Sequence, residues 1–289
     1  IKRTEIAVLQ KKRQINFAIN EKTILSTTDN PFIVQFHGSF RDKRFLYLAM
    51  KFVDGVELFN LIQNSSRIPE KTAQLITAEV LLALEDLHLR HIAYRDIKPE
   101  NIIIDRDGHI KVVDLGFAKD ISSTETGQTY TVCGTPEYIA PEIILQKGHT
   151  VAADYWSLGI LLFEMLSGEP PFQGENESEN HMEIYEKALA LDFEFPEYFS
   201  PESKDLISRL LTVKPQDRIG NSVQGIQEIK RHPFFRDVDW EGLFNKQLGP
   251  AVPARLHTAC QKISGLKRGK APQHCGTPVY DFEDPFRDF

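Results

Sequence analysis

The sequence predicts a two-lobed α+β fold, with a small β-rich N-terminal lobe and a larger helical C-terminal lobe. Three observations carry that expectation. The 289 residues suit about two units at roughly 150 residues each. The first fifty residues hold two strand-like runs and one short helical stretch. From Glu70 onward the helical period dominates.

Taken in order, Ala18 to Leu25 reads as a helix, with Ala18, Ile19, Ile24 and Leu25 on one face. Phe32 to Phe36 and Arg44 to Met50 read as strands, joined by a turn at 41–43. Pro69 opens a long amphipathic helix over Ala73 to Arg90. Asn101 to Ile104 and His109 to Val113 flank Asp107-Gly108, a hairpin signal. Ala153 to Ser167 is apolar nearly all round, as a helix buried at a lobe centre would be. Further helices are expected at 181–191, 202–212 and 222–231. The last fifty residues, rich in Pro, Gly and charge, read as an extended tail.

Composition narrows the function classes. The formal net charge of −7 argues against nucleic acid, whose binders carry a basic face, and is compatible with basic partners. No apolar run reaches the roughly 18 residues of a membrane span, and no signal peptide is evident. The cysteines are Cys133, Cys260 and Cys275. An odd count without a CxxC pair fits reduced thiols and a cytoplasmic location, and no His/Cys spacing reads as a zinc site.

The chemistry concentrates in Tyr94-Arg95-Asp96-Ile97-Lys98-Pro99-Glu100-Asn101. Pro99 forbids a regular helix through it. Asp96 can accept a proton, Lys98 can neutralise an anion, and Asn101 offers a neutral oxygen suited to magnesium. Thirteen residues further on, Asp114-Leu115-Gly116 presents another carboxylate. An acceptor, a cation and two hard oxygen ligands are what phosphoryl transfer requires.

With Ala140-Pro141-Glu142 downstream, these motifs resemble the catalytic loop, DFG and APE elements of eukaryotic protein kinases, in family order. The resemblance implies ATP and Mg2+ as cofactors, with Asp96 and Lys98 catalytic and Asn101 and Asp114 as metal ligands. It places Lys2 at the phosphate-binding lysine, paired with Glu21. Met50 becomes the residue that gates the adenine pocket, Lys51 to Val53 the hinge, Ile103 the pocket floor and Glu57 a ribose contact. Leu25, Phe36, Tyr94 and Leu115 match a stacked apolar spine anchored near Asp154, and Glu142 with Arg218 a buried ion pair. Thr131 matches the phosphorylated threonine of the activation segment, with Arg95 and Lys119 placed to pair with it. Phe17 stands where many related kinases carry a histidine that touches that phosphate. Thr135 beside Lys98 marks serine/threonine specificity. Glu57, Glu100, Glu137 and Glu164 match acidic positions that bind arginines of a basic protein substrate.

Gly134 to Phe172, with Asp239-Trp-Glu-Gly-Leu243 and the proline-rich tail, resembles the AGC group and leans towards its cGMP-dependent members. A cAMP-dependent catalytic subunit-like enzyme and a non-catalytic kinase-like scaffold are the alternatives. The resemblance divides the chain into a partial N-lobe at 1–50, hinge and C-lobe at 51–235 and a tail at 236–289, with Phe282 as the tail residue over adenine. It sets the first strands and the Gly-rich phosphate loop upstream of Ile1, so weak turnover is expected from these residues alone. It likewise puts any cyclic-nucleotide-binding regulatory region outside this sequence.

Overall fold

The computed structural model describes residues 1–12, 14–122, 124–174, 181–253 and 289. Strands β1 (Lys2–Glu5), β2 (Phe36–Arg41) and β3 (Phe45–Met50) form an antiparallel sheet in the order β1-β3-β2. Asp42 shapes its turn. Its carboxylate accepts the amides of Arg44 and Phe45, each at 2.7 Å, and the Tyr47 hydroxyl at 2.8 Å. A short carboxylate that caps its own turn is the reason aspartate suits this position. Helices α1 (Ile6–Lys11) and α2 (Ile15–Thr27) complete the small lobe. Helix α2 begins three residues before the expected Ala18.

The strand expected over Phe32–Phe36 is a correction. Phe32, Ile33 and Val34 are buried, but they run beside the large lobe rather than in the small sheet. Val34 donates its amide to the Val112 carbonyl at 2.9 Å, and Val112 donates to Phe32 at 2.8 Å. Asn30 fixes the approach, accepting from the Phe32 amide at 2.8 Å and donating to Leu82 at 3.0 Å. An apolar run buried on both faces can be a strand or a docked linker, and periodicity alone does not separate them.

Beyond the linker at 51–54 come β4 (Gly55–Glu57), α3 (Leu58–Ser65) and α4 (Glu70–Leu89). The hairpin of β6 (Ile102–Asp105) and β7 (Ile110–Val112) forms as expected, with β4 added at its side in the order β4-β6-β7. Strands β5 (Ile92–Ala93) and β8 (Lys119–Asp120) pair antiparallel. Helix α6 (Ala152–Ser167) is buried at every position from Ala152 to Leu166, as its all-round apolar sequence predicts. Around it lie α5 (Pro141–Ile144), α7 (Met182–Ala190), α8 (Pro201–Leu210), α9 (Ile226–Lys230) and α10 (Trp240–Phe244).

Helix α9 is shorter than the expected 222–231. Gly225 sits at its N-terminus with φ 56° and ψ −144°, which no helix tolerates. The tail expectation is also corrected at 240–244, where Asp239 caps α10 by accepting from the Gly242 amide at 3.1 Å. Phe282, Cys260 and Cys275 lie outside the described residues. Phe289 does not: its carbonyl accepts from the Ser39 hydroxyl at 2.7 Å, and its ring joins a small apolar cluster with Leu9 and Leu46.

Candidate active site

The loop between β5 and β6 holds the first group of side chains. Residues 94–98 are irregular, and Pro99 opens a single 3-10 turn over Pro99–Asn101, the first-turn position that suits proline. Arg95 adopts φ 69°, unusual for a bulky residue. Buried Asp154 holds that geometry from α6, accepting the amides of Tyr94 at 2.9 Å and Arg95 at 2.7 Å. His88, in the last turn of α4, bridges Asp154 at 2.7 Å and the Tyr155 hydroxyl at 3.1 Å.

On this frame Asp96 is buried beside three partners. Asn101 donates its amide nitrogen to the Asp96 carboxylate at 2.7 Å and to the Asp96 carbonyl at 2.9 Å. Lys98 lies 3.4 Å from the carboxylate and donates to the Thr135 hydroxyl at 2.9 Å. Thr135 in turn donates to Asp96 at 3.4 Å. The sequence groups Asp96, Lys98 and Asn101 by proximity in the chain. The fold adds Thr135 from 37 residues beyond Lys98.

A second group joins the lobes. Lys2 on β1 donates to both carboxylate oxygens of Glu21 on α2, at 2.7 and 2.9 Å, and to Asp114 at 3.0 Å. Burial works against the Lys2 charge, but the two carboxylates outweigh it and raise the ammonium above its ordinary value. Burial likewise opposes the Asp114 charge, while Lys2 and the Gly116 amide, 2.8 Å away, hold the carboxyl below its ordinary value. Burial pushes Glu21 upward against the pull of Lys2. The bidentate contact is nonetheless that of an ion pair. Space is tight at Gly116, where a Cβ would lie 3.0 Å from Asp114 Oδ1, so a side chain there would press on the carboxylate that Lys2 holds.

The oxygens left over suit a hard cation. With its amide nitrogen on Asp96, Asn101 keeps Oδ1 without a hydrogen bond among the described residues, as does the second oxygen of Asp114. One amide and one carboxylate oxygen make an incomplete protein cage. Magnesium is commonly bound that way, with phosphates and water completing the shell. Among the described residues no cluster of three or more His, Cys, Asp or Glu could hold a metal by itself.

The remaining expected residues are distributed as follows. Met50 and Val53 are half-buried against the core, and the exposed Lys51 uses its own amide on the Gln35 carbonyl at 2.8 Å. Ile103 lies across from Glu57 in the β4–β6 ladder, and Glu57 is exposed with Asn60 at 3.5 Å. Leu25, Tyr94 and Leu115 are buried in one core with Phe36 packed against it. Glu164 is 5% exposed and takes the Tyr138 hydroxyl. Burial, with the charges of Glu100 and Glu137, pushes it up to about 8, so those three carboxylates share one neighbourhood.

Arg95 and Lys119 are not drawn onto Thr131. Arg95 donates Nε to the Phe117 carbonyl at 2.7 Å, and one of its buried terminal nitrogens has no hydrogen-bond partner among the described residues. Lys119 donates to Thr129 at 3.0 Å. Thr131 is exposed and, with Lys119 and Thr129, lines an open cavity of about 710 Å³. Sequence reasoning missed His88, Thr129 and the Phe117 carbonyl. Only His88 left a signal, as a basic residue at a helix C-terminus.

A family model described as "Protein kinase domain" matches residues 1–235. The chain is 47% identical over 254 residues to a Schizosaccharomyces pombe cAMP-dependent protein kinase catalytic subunit, covering 86% of this chain and 48% of that protein. It is 45% identical over 237 residues to the human cAMP-dependent protein kinase catalytic subunit PRKX, covering 82% and 64%. It is 41% identical over 238 residues to the Saccharomyces cerevisiae cAMP-dependent protein kinase type 3, covering 82% and 58%. The chain thus spans about half to just under two thirds of these relatives. Their names favour the cAMP-dependent alternative over the cGMP-dependent expectation.

Proposed function

Since the chain belongs to the protein kinase domain family, we propose that it transfers the γ-phosphoryl group of ATP to serine or threonine hydroxyls of basic proteins. We assign it to the cAMP-dependent catalytic-subunit type, working with a separate cyclic-nucleotide-binding regulatory chain. The observation that carries the reading is Asp96, buried and held by Asn101 at 2.7 Å, with Lys98 and Thr135 both at 3.4 Å.

In this reading a substrate hydroxyl donates its proton to Asp96 as its oxygen bonds to phosphorus and the bond to ADP breaks. Lys98 balances charge on the moving oxygens, and Thr135 keeps Lys98 in place. Lys2, steadied by Glu21, receives the phosphates nearest the adenosine. Asn101 and Asp114 would hold magnesium, which when bound would add charge neutralisation on the phosphates. Met50, Lys51, Val53, Glu57 and Ile103 line the nucleoside side.

Glu100, Glu137 and Glu164 form the acceptor for substrate arginines, by charge complementarity. Glu57 is assigned a place on the same cleft. The unpartnered buried nitrogen of Arg95 supports a phosphate on Thr131, because a buried guanidinium N–H left without an acceptor is costly. Lys119 is within the same cavity wall and would exchange Thr129 for that phosphate.

The test is transfer of labelled phosphate from ATP, with magnesium, to a serine peptide with preceding arginines, using the full-length protein. Transfer to this peptide, and much less to an alanine-for-arginine control, is expected. Absence of transfer with Thr131 phosphorylated would overturn the catalytic reading. Restraint by a cAMP-binding regulatory subunit, relieved by cAMP and not by cGMP, would distinguish the regulatory types.

A further inference from the structure

Four residues from three segments lie in one continuous line of contacts between the catalytic loop and the ammonium of Lys2. Arg95 donates to the Phe117 carbonyl at 2.7 Å. The Phe117 ring meets the Phe17 ring edge to face, with centroids 5.9 Å apart and planes at 83°. Phe17 lies one turn before Glu21 on α2, and residues four apart share a helix face. Glu21 then holds Lys2 with both oxygens. Phe117 is itself fixed in place, since it follows Gly116, whose amide is bound to Asp114.

Two contacts join α2 to the segment after β7: the Lys2 ammonium, shared by Glu21 and Asp114, and the pair of aromatic rings. The helix has one cation, Lys22, and that lies over the Phe289 ring at 5.7 Å. The aromatic pair is a direct contact of the helix with the segment. Edge-to-face geometry is directional, so a ring pair fixes the helix rotation as well as its distance.

We propose that Phe17 is a positioning residue whose contact with Phe117 seats α2, and with it the Glu21–Lys2 pair. The inference rests on the kinase reading above for its effect on ATP, but the seating of α2 can be read without nucleotide.

The full chain would be compared with Phe17→Ala, Phe17→Tyr, Phe117→Ala and the double alanine variant. Two readouts apply: affinity for a fluorescent ATP analogue, and hydrogen exchange of the amides at 15–27. Phe17→Ala should weaken nucleotide binding about two- to tenfold, the range expected for one aromatic pair, and speed exchange in α2. Phe17→Tyr keeps the ring edge and should behave like the parent. The double variant should be no weaker than the worse single one, because both remove the same contact.

Unchanged exchange and affinity in Phe17→Ala would overturn the proposal. Additive effects in the double variant would also overturn it. If Phe17→Ala fails to fold, Phe17→Leu, which keeps apolar volume without a ring edge, carries the same comparison. A parent that binds no nucleotide while Phe17→Ala still loosens α2 would sink the kinase reading and leave the seating intact.

Discussion

Asp154 accepts the backbone amide of Arg95 at 2.7 Å, across 59 residues of sequence, and the neighbouring amide of Tyr94 at 2.9 Å. It is fully buried on α6, so a buried helix of the large lobe shapes the loop that carries Asp96. Asp154→Ala would orphan those two amides and His88. At about 1–3 kcal/mol per unsatisfied group, Tm should fall by several degrees. Turnover should fall further than residual folding explains, because Arg95 would no longer be held at φ 69°. Calorimetry and peptide phosphorylation on the same samples check both.

Asp96→Asn removes the proposed proton acceptor while preserving size. The expected loss in kcat is roughly 10²–10⁴-fold, with little change in KM for ATP. A variant that kept most of its turnover would remove Asp96 from the role assigned to it.

Glu164 makes a prediction about pH. Burial, with Glu100 and Glu137, raises it from 4.5 to about 8, so the folded chain holds a proton that the unfolded chain has released. Stability should therefore decline as pH rises from about 4.5 through about 8. Arginine binding favours the ionised carboxylate, so KM for an arginine peptide should fall over pH 7 to about 8.5, around that value. Glu164→Gln should flatten both profiles. A stability curve identical in parent and variant would contradict the assignment.

Glu142 and Arg218 form a buried bidentate pair, with nitrogen–oxygen distances of 2.8 and 2.9 Å. Arg218 also donates to the Ala152 carbonyl at 2.7 Å and to that of Thr212. Arg218→Ala leaves a buried carboxylate uncompensated, at a cost of about 3–5 kcal/mol. Arg218→Lys should rescue little, since an ammonium cannot make the parallel pair of bonds. Urea unfolding of both variants measures this.

Much of the site was legible because its chemistry is local in sequence. Asp96, Lys98 and Asn101 fall within six residues, and Pro99 rules out a regular helix through them. The buried helix α6 and the hairpin of β6 and β7 follow from patterns of apolar residues that span only a few turns or pairs. The run at Phe32–Val34 was misread because burial on both faces erases the alternation that distinguishes a strand. Short helix α9 was overextended because Gly225 breaks it where the apolar pattern continues.

The sequence by itself determined which side chains are available: an acid, a lysine, an amide and a second acid in an order that matches one family. Only the tertiary structure decided their distances. Thr135 reaches Lys98, Glu21 reaches Lys2, and Asp154 reaches Arg95 because elements far apart in the chain bury their apolar faces against one another. Hydrophobic burial is non-directional and is written throughout the sequence. The directional contacts form only after packing has brought their partners within hydrogen-bonding range.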